Sequence, residues 1–284
     1  MLPAMLSYLT DPLNEAPLWL LGPFLVALMA VAFFAGRRVR MRVDNREVGG
    51  AEPKGSSYDG FIVSAVLGLL ALLLGFSFSL AVQRFEERRQ LVVEEANAIG
   101  TAYLRVQLLD QPHRARLSSL LVQHVDNEID VASEGFPSSG PVRERSDRVL
   151  TDIWAATLAA LDSPKTSPFA YALASAMNAV IDLDASRMAA RAARVPQRVF
   201  VILLIYLLSA ATLLGYESEK GRATMIAVSV LVSMTLSLLL VMDIDRPATG
   251  GIRETQEPME RLQATLAHQP PAVFDRWRGS AAGP

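Results

Sequence analysis

Four stretches of the chain are apolar throughout and carry no charged side chain. The uncharged runs are 18 to 22 residues long, and they place the predicted transmembrane helices at residues 17–36, 61–82, 199–216 and 223–242. An α-helix needs roughly 20 apolar residues to cross the hydrocarbon core of a bilayer. A soluble helix of this length would show a polar face. The pattern therefore predicts four transmembrane helices.

The longest segment between these helices is a charged insert at residues 83–198. Turn-forming stretches rich in Pro and Gly divide it, and they predict helices at 83–109, 113–133, 142–161 and 168–195. The remaining segments are an N-terminal tail at 1–16, a basic loop at 37–60 and a C-terminal tail at 243–284. The predicted fold class is all-α: an integral membrane protein with four transmembrane helices and a helical extramembrane insert between helices two and three.

The amino-acid composition disfavours most classes of enzymatic function. The 284 residues include no Cys, which excludes thiol catalysis, disulfides and Cys-ligated metal sites. Three His, at positions 113, 124 and 268, are scattered along the chain, and this disfavours a His-built metal centre. No phosphate-binding or hydrolase motif occurs. We expect no enzymatic activity, no cofactor and no metal, and the net charge of -2 disfavours nucleic acid as a partner.

The charges of the short loops bear on orientation in the membrane. Residues 1–16 contain no Lys or Arg, so the basic leader of a signal peptide is missing and the first span is expected to be retained. The loop at 37–60 holds Arg46, Lys54 and four further arginines, and the loop at 217–222 holds Lys220 and Arg222. The positive-inside rule places both loops in the cytoplasm of a plasma (inner) membrane protein, and the insert outside.

The second predicted span carries a narrow face of small residues. Five of them fall within about 80° of one another on a straight helix: Ser64, Gly68, Ala71, Gly75 and Ser79. One interpretation is a pore lining, because small side chains leave space and hydroxyls help to solvate an ion. The other is close packing of helices through small residues.

Charged and polar residues form three further groups. One stripe follows span two and comprises Glu94, Asn97, Thr101 and Arg105, on a helix expected to be buried, so these side chains need partners. A second group recurs on one predicted helical face before span three: Arg187, Arg191, Arg194 and Arg198. The third follows span four and comprises Asp243, Asp245 and Arg246. Carboxylates at a helix C-terminus oppose the macrodipole, so Arg246, a cation or another arginine should compensate them.

Three stretches of sequence resemble one family. They are GLLALLLGFSFSLAVQRFEERRQLVVEEANAIGTAYLR at 68–105, NAVIDLDASRMAARAARVP at 178–196, which contains Asp184, and DIDRPATGGI at 243–252. In these three stretches the chain resembles the bacterial bestrophin-like membrane proteins. It resembles more distantly the bestrophins, which are pentameric anion channels. This resemblance implies a homo-oligomer and a neck in span two. The residues in comparable places are Phe76, Phe78, Arg84, Phe85, Glu86 and Glu87.

Two functional hypotheses follow. The first is an oligomeric channel permeable to inorganic anions such as chloride, with span two lining the pore and Phe76 or Phe78 as a hydrophobic gate. Phe78 lies about 40° from the Ser64 direction and Phe76 about 120°, which favours Phe78. The second is a non-conducting structural or regulatory membrane protein whose insert binds a partner or lipid. The resemblance implies a cytoplasmic insert, opposite to the orientation that the short-loop arginines predict.

Overall fold

The computed structural model describes residues 17–44, 57–135, 140–163, 167–218, 221–247 and 250–276. This part of the chain forms helices and no strands: α1 Leu18–Asp44, α2 Ser57–Val106, α3 His113–Ser133, α4 Pro141–Leu161, α5 Ala170–Ala192, α6 Gln197–Glu217, α7 Arg222–Ile244 and α8 Glu257–His268. Short 3-10 turns lie at Ser167–Phe169 and Pro271–Asp275. The predicted N-terminal tail, Arg46, Lys54 and Lys220 lie outside the described residues.

The chain divides into two compact units. The first, here called the membrane unit, comprises Met1–Arg84 and Arg194–Arg253. The second, here called the insert unit, comprises Phe85–Ala193 and Glu254–Pro284. Four stretches are long and apolar enough to cross a membrane: they lie in α1, in α2, in the segment Ala170–Glu217 that contains α5 and α6, and in α7. The predicted all-α fold with four transmembrane helices and a helical insert is confirmed.

Helices α1 and α6 approach each other closely inside the membrane unit. A Cβ atom built on Gly36 would lie 1.9 Å from the carbonyl oxygen of Thr212, and one built on Gly215 would lie 2.0 Å from that of Phe33. Only glycine fits at these two points, since the backbones are in direct contact. Arg40 at the end of α1 donates hydrogen bonds to the last carbonyls of α6, those of Tyr216 at 3.1 Å and Glu217 at 3.0 Å.

The insert unit has its own apolar core. It is built from the C-terminal part of α2 together with α3, α4, α5 and α8. The fully buried residues at its centre are Ile99, Leu117, Leu121, Ile153, Leu173 and Met177. Helix α3 begins directly after Pro112, because proline removes the donor that would continue a helix through it. It then runs over His113–Ser133, the span predicted from the sequence.

The arginines before α6 do not share one helical face, in contrast to the sequence prediction. Helix α5 ends at Ala192 and α6 begins at Gln197, with four non-helical residues between them. Pro196 disfavours the helical conformation in the residue before it, and the helix predicted over 168–195 ends at Ala192. Arg187 and Arg191 therefore belong to α5 and Arg198 to α6.

Candidate functional site

The small-residue stripe of α2 is uncovered within the membrane unit. Ser64, Gly68, Ala71, Gly75 and Ser79 are all exposed. A Cβ atom added to Gly68 or Gly75 would meet no described atom within 4 Å. The small residues therefore do not pack against another described helix of the same chain, so the interpretation as helix packing requires a helix of another molecule.

Two aromatic side chains lie on the exposed surface of the same helix. Phe76 is 66% exposed and Phe78 is 41% exposed, whereas Ser77 between them is buried. The Ser77 hydroxyl donates to the carbonyl oxygen of Leu73 at 2.8 Å, so it is satisfied within its own helix. The two rings are therefore available to line a pathway or to meet another molecule.

A buried cluster of charged side chains lies in the interior of the insert unit. Glu95 on α2, His124 and Glu128 on α3, and Arg187 on α5 are each at most 2% exposed. Nη1 of Arg187 donates to Oε2 of Glu128 at 3.1 Å and also to Oε2 of Glu95. One guanidinium thus joins two carboxylates from two other helices.

Further ion pairs surround this cluster. Asp184 accepts two hydrogen bonds from Arg143, at 2.9 and 3.3 Å, and Arg143 also contacts Asp147 at 2.6 Å. Nε of Arg191 donates to Oε1 of Glu254 at 2.7 Å. Buried ions need such partners, because an unpaired charge in a protein interior is costly.

The cluster raises the affinity of two groups for protons. Burial lowers the pKa of His124, but the carboxylates of Glu95 and Glu128 outweigh it and leave that pKa above its ordinary value. Burial together with the charge of Glu95 raises the pKa of Glu128, against the opposing effect of Arg187. The interior of the insert unit therefore favours extra positive charge beside its carboxylates.

The predicted polar stripe on α2 lies on the surface instead of facing the arginines. Glu94 accepts a hydrogen bond from Gln90 at 2.7 Å, and both are exposed, as are Asn97 and Thr101. Arg105 is half-buried and donates to the carbonyl oxygen of Ala172 at 2.6 Å. The expected burial of the stripe is wrong, because the buried face of α2 passes through the neighbouring Glu95.

The carboxylates at the C-terminal end of α7 accept hydrogen bonds from backbone amides. Asp243 accepts hydrogen bonds from the amides of Gly251 at 2.5 Å and Ile252 at 3.2 Å. Asp245 accepts one from the amide of Val195 at 2.9 Å. Backbone amides thus compensate these carboxylates, and the charge of Arg246 interacts with both of them, as the sequence predicts. Arg246 is itself buried.

The remaining predicted residues are not brought into the buried cluster. Arg84 is half-buried, while Glu86 and Glu87 are exposed, and Glu86 pairs with Arg89 at 3.2 Å. Arg194 and Arg198 are exposed too. Of the predicted charged residues, Arg187 reaches the centre of the cluster, and Arg191 and Asp184 are in its surrounding pairs.

Sequence reasoning missed Glu95, His124 and Glu128. The signal was present in α3, where His124 and Glu128 lie at i and i+4 within a stripe whose other members, Leu117, Leu121 and Val131, are buried apolar residues. A polar pair inside an apolar stripe predicts buried partners from another helix. The scattering of the three His along the chain concealed this.

The chain is similar to known proteins in both sequence and fold. The family model of the Bestrophin-like domain matches residues 23–259. No curated protein matches the chain. Two crystal structures of variants of a bacterial bestrophin homologue from Klebsiella pneumoniae are similar in fold. One is 16% identical, with 88% of this chain and 98% of that chain covered and a TM-score of 0.62. The other is 15% identical, with 90% and 100% covered and a TM-score of 0.64.

A further crystal structure, described as that of a membrane protein, is 16% identical, covers 86% of this chain and 97% of its own, and has a TM-score of 0.65. At these identities the likeness shows the fold alone. The family model spans most of the chain, including most of α1, the other three apolar stretches and the buried cluster. This multi-pass, all-helical membrane protein belongs to the bestrophin-like family.

Proposed function

We propose that the protein is an oligomeric channel for inorganic anions, chloride among them, in which α2 of each subunit lines the pore. The observation that carries this proposal is the uncovered stripe of small residues along α2. A pore lining needs side chains that leave space, with hydroxyl groups to replace part of the hydration shell of an ion. Ser64, Gly68, Gly75 and Ser79 supply both, and none of them is covered.

The contrast with another pair of glycines supports this assignment. Gly36 and Gly215 are small because the backbones of α1 and α6 meet there, and an added Cβ would lie within about 2 Å of a carbonyl oxygen. Gly68 and Gly75 have open space instead. Small residues with no described atom within 4 Å of an added Cβ are suited to a surface that faces other copies or an aqueous path.

The proposed gate is Phe78. It lies on the exposed side of α2, within about 40° of the stripe, so that one ring from each subunit would narrow a central path. A hydrophobic constriction of this kind closes a pore by dewetting. The anion preference and a pentameric homo-oligomer rest on the resemblance of the α2 region to bestrophins.

The arginines that attract anions in this proposal are fewer than the sequence suggested. Arg187 and Arg191 are buried and pair with Glu95, Glu128 and Glu254, so they do not raise the potential at a pore mouth. Arg194 and Arg198 are exposed and remain candidates for that role.

Conductance can be tested with the full chain in planar bilayers. We expect chloride current, with a reversal potential in a salt gradient that follows the anion. Because the chain contains no Cys, Ser64→Cys and Ser79→Cys introduce single reactive thiols. A charged thiol reagent added to the bath should change the current through both variants. Ser229→Cys on α7, which is also exposed, is the matched control and should be unaffected.

The alternative function predicts a different result. A structural or regulatory membrane protein, binding a partner or membrane lipid through its insert, would carry no current at any voltage, pH or calcium concentration. For such a protein Phe78→Ala would have no effect on current, whereas for a channel we expect this variant to change gating. A monomer or dimer in detergent would favour this alternative, since two α2 helices do not enclose a pore.

A further inference from the structure

Three side chains with metal-binding atoms meet in the interior of the insert unit. Each is essentially inaccessible: Glu95 and His124 are 0% exposed and Glu128 is 1% exposed. Among the described residues, Oε1 of Glu95 and both ring nitrogens of His124 have no hydrogen-bond partner. Buried polar atoms are nearly always satisfied, so these three atoms indicate a missing partner.

The spacing of these atoms matches ligands of one ion. Nε2 of His124 lies 3.6 Å from Oε1 of Glu95, which is too long for a hydrogen bond. Zinc binds imidazole nitrogen and carboxylate oxygen at about 2.0–2.2 Å, and two such ligands at a tetrahedral angle lie roughly 3.3–3.6 Å apart. A carboxylate oxygen of Glu128 completes the group, with all three ligand atoms within 4.8 Å of one another.

We propose that Glu95, His124 and Glu128 bind one divalent transition metal ion, with Zn²⁺ the best match to their nitrogen and oxygen donors. Such an ion would join α2 to α3 inside the insert unit. Three protein ligands leave a fourth position for water. The site is separate from the proposed pore-lining face of α2, and it does not depend on conductance.

Neighbouring residues supply the support that metal ligands require. Arg187 donates to Oε2 of Glu95 and so leaves Oε1 of the same carboxylate for the ion. Ser146 donates its hydroxyl to Oε1 of Glu128 at 3.0 Å. Hydrogen bonds of this kind fix the direction of ligating carboxylates, and losing them typically weakens metal binding 10- to 100-fold.

The charges of the cluster also favour a bound cation. The carboxylates of Glu95 and Glu128 share the single guanidinium of Arg187. One buried negative charge therefore remains beside the proposed ligands, and a metal cation would offset it. Protonation of His124 would offset it as well, so the experiment has to separate the metal from protons.

Cobalt(II) is a suitable probe, because its visible absorption reports coordination and zinc displaces it from the same ligands. The full-length protein is purified in detergent, treated with a chelator and titrated with Co²⁺, and elemental analysis counts the bound ions. We expect one ion per chain, visible absorption bands that Zn²⁺ abolishes, and a higher unfolding temperature with metal. Glu95→Gln and His124→Gln should weaken binding at least 10-fold.

Two matched variants are the controls. Glu94→Gln changes the exposed neighbour of Glu95, and His268→Gln changes an exposed histidine on α8. Both should bind Co²⁺ like the unaltered protein. His124→Cys tests the ligand directly, because the natural chain has no Cys. A thiolate-to-cobalt charge-transfer band in the near ultraviolet, seen in this variant alone, would place the ion at position 124.

Two outcomes would overturn the proposal. The metal-free protein could bind no Co²⁺ or Zn²⁺ in the micromolar range, which would leave protons as the balancing charge. Alternatively, it could bind an ion that Glu95→Gln and His124→Gln both retain, which would place the ion elsewhere. If those two variants fail to fold, the binding measured on the unaltered protein and the band expected from His124→Cys still decide the question.

Discussion

The interiors of the two units are built on opposite principles. The membrane unit buries apolar side chains and brings α1 and α6 together through Gly36 and Gly215. The insert unit surrounds a cluster of buried charges with an apolar core. Inside a bilayer the hydrophobic effect does not drive helices together, so close backbone contact does. In the insert unit apolar burial supplies stability, and charges are tolerated where each has a partner.

The same contrast recurs between glycines of the membrane unit. Gly36 and Gly215 lie at a helix contact, whereas Gly68 and Gly75 face open space. A glycine is thus informative about packing only when the atoms around it are known. The predictions below test these differences, beginning with the largest expected effect.

Arg187→Met should cause the largest loss in the free energy of unfolding of the insert unit. It leaves Glu95 and Glu128 buried without their shared guanidinium, and breaking a buried ion pair typically costs about 3–5 kcal/mol. The free energy of unfolding in detergent measures this. Arg148→Met is the matched control, because Arg148 and Glu144 form a pair 3.7 Å apart whose side chains are 67% and 68% exposed. A surface pair contributes about 0–1 kcal/mol, and equal losses in both variants would refute the contrast.

Gly215→Ala should loosen the contact between α1 and α6. The new Cβ would lie 2.0 Å from the carbonyl oxygen of Phe33. Overpacking of this kind costs about 1–3 kcal/mol, measured as a loss of unfolding free energy in mixed micelles. Gly68→Ala on α2 should be neutral or slightly stabilising, since alanine is the better helix former by about 1 kcal/mol. If Gly68→Ala destabilises the oligomer as strongly, another copy packs against that face.

Arg40→Gln should have a smaller effect on the same helix pair. Its guanidinium donates to the carbonyl oxygens of Tyr216 and Glu217 at the end of α6. Losing these bonds should cost about 1 kcal/mol, seen as a modest fall in the midpoint of thermal unfolding. Arg38→Gln, on the exposed face of α1, is the control. A fall of the same size in that variant would point to net charge as the cause.

Glu94→Ala should change stability least, by no more than about 0.5 kcal/mol. Its carboxylate is exposed and accepts a hydrogen bond from the side chain of Gln90. Glu95→Ala, one position further, removes a partner of Arg187 from the buried cluster and should be far more destabilising. Thermal unfolding of the two variants compares the two faces of α2 directly. Similar midpoints would mean that the cluster contributes little.

Much of the fold could be predicted because its signals are local. The four uncharged runs define the apolar helices, and Pro112 and the turn-rich stretches mark the ends of helices in the insert. Pro196 marks the break between α5 and α6, but the helix before it ends at Ala192, earlier than predicted. A proline indicates where a helix is interrupted, but the extent of the interruption depends on contacts such as that of Asp245 with the amide of Val195.

The candidate sites were predictable to different degrees. The small-residue stripe of α2 follows from periodicity on one helix, and exposure supports its proposed role. The buried cluster draws on α2, α3 and α5, so its members lie far apart along the chain. The spacing of residues along α2 did not show that Glu95 is buried and Glu94 exposed, because that helix is apolar around most of its circumference.

The sequence by itself determined the membrane-spanning character and the helical class. Those properties depend on residue types and their spacing along single helices, and burial in lipid or water acts on each helix separately. Only the tertiary structure decided which charges meet. The contacts within the buried cluster depend on how three helices are rotated and spaced against one another. These contacts join Glu95, His124, Glu128 and Arg187. No pattern within one helix encodes that arrangement.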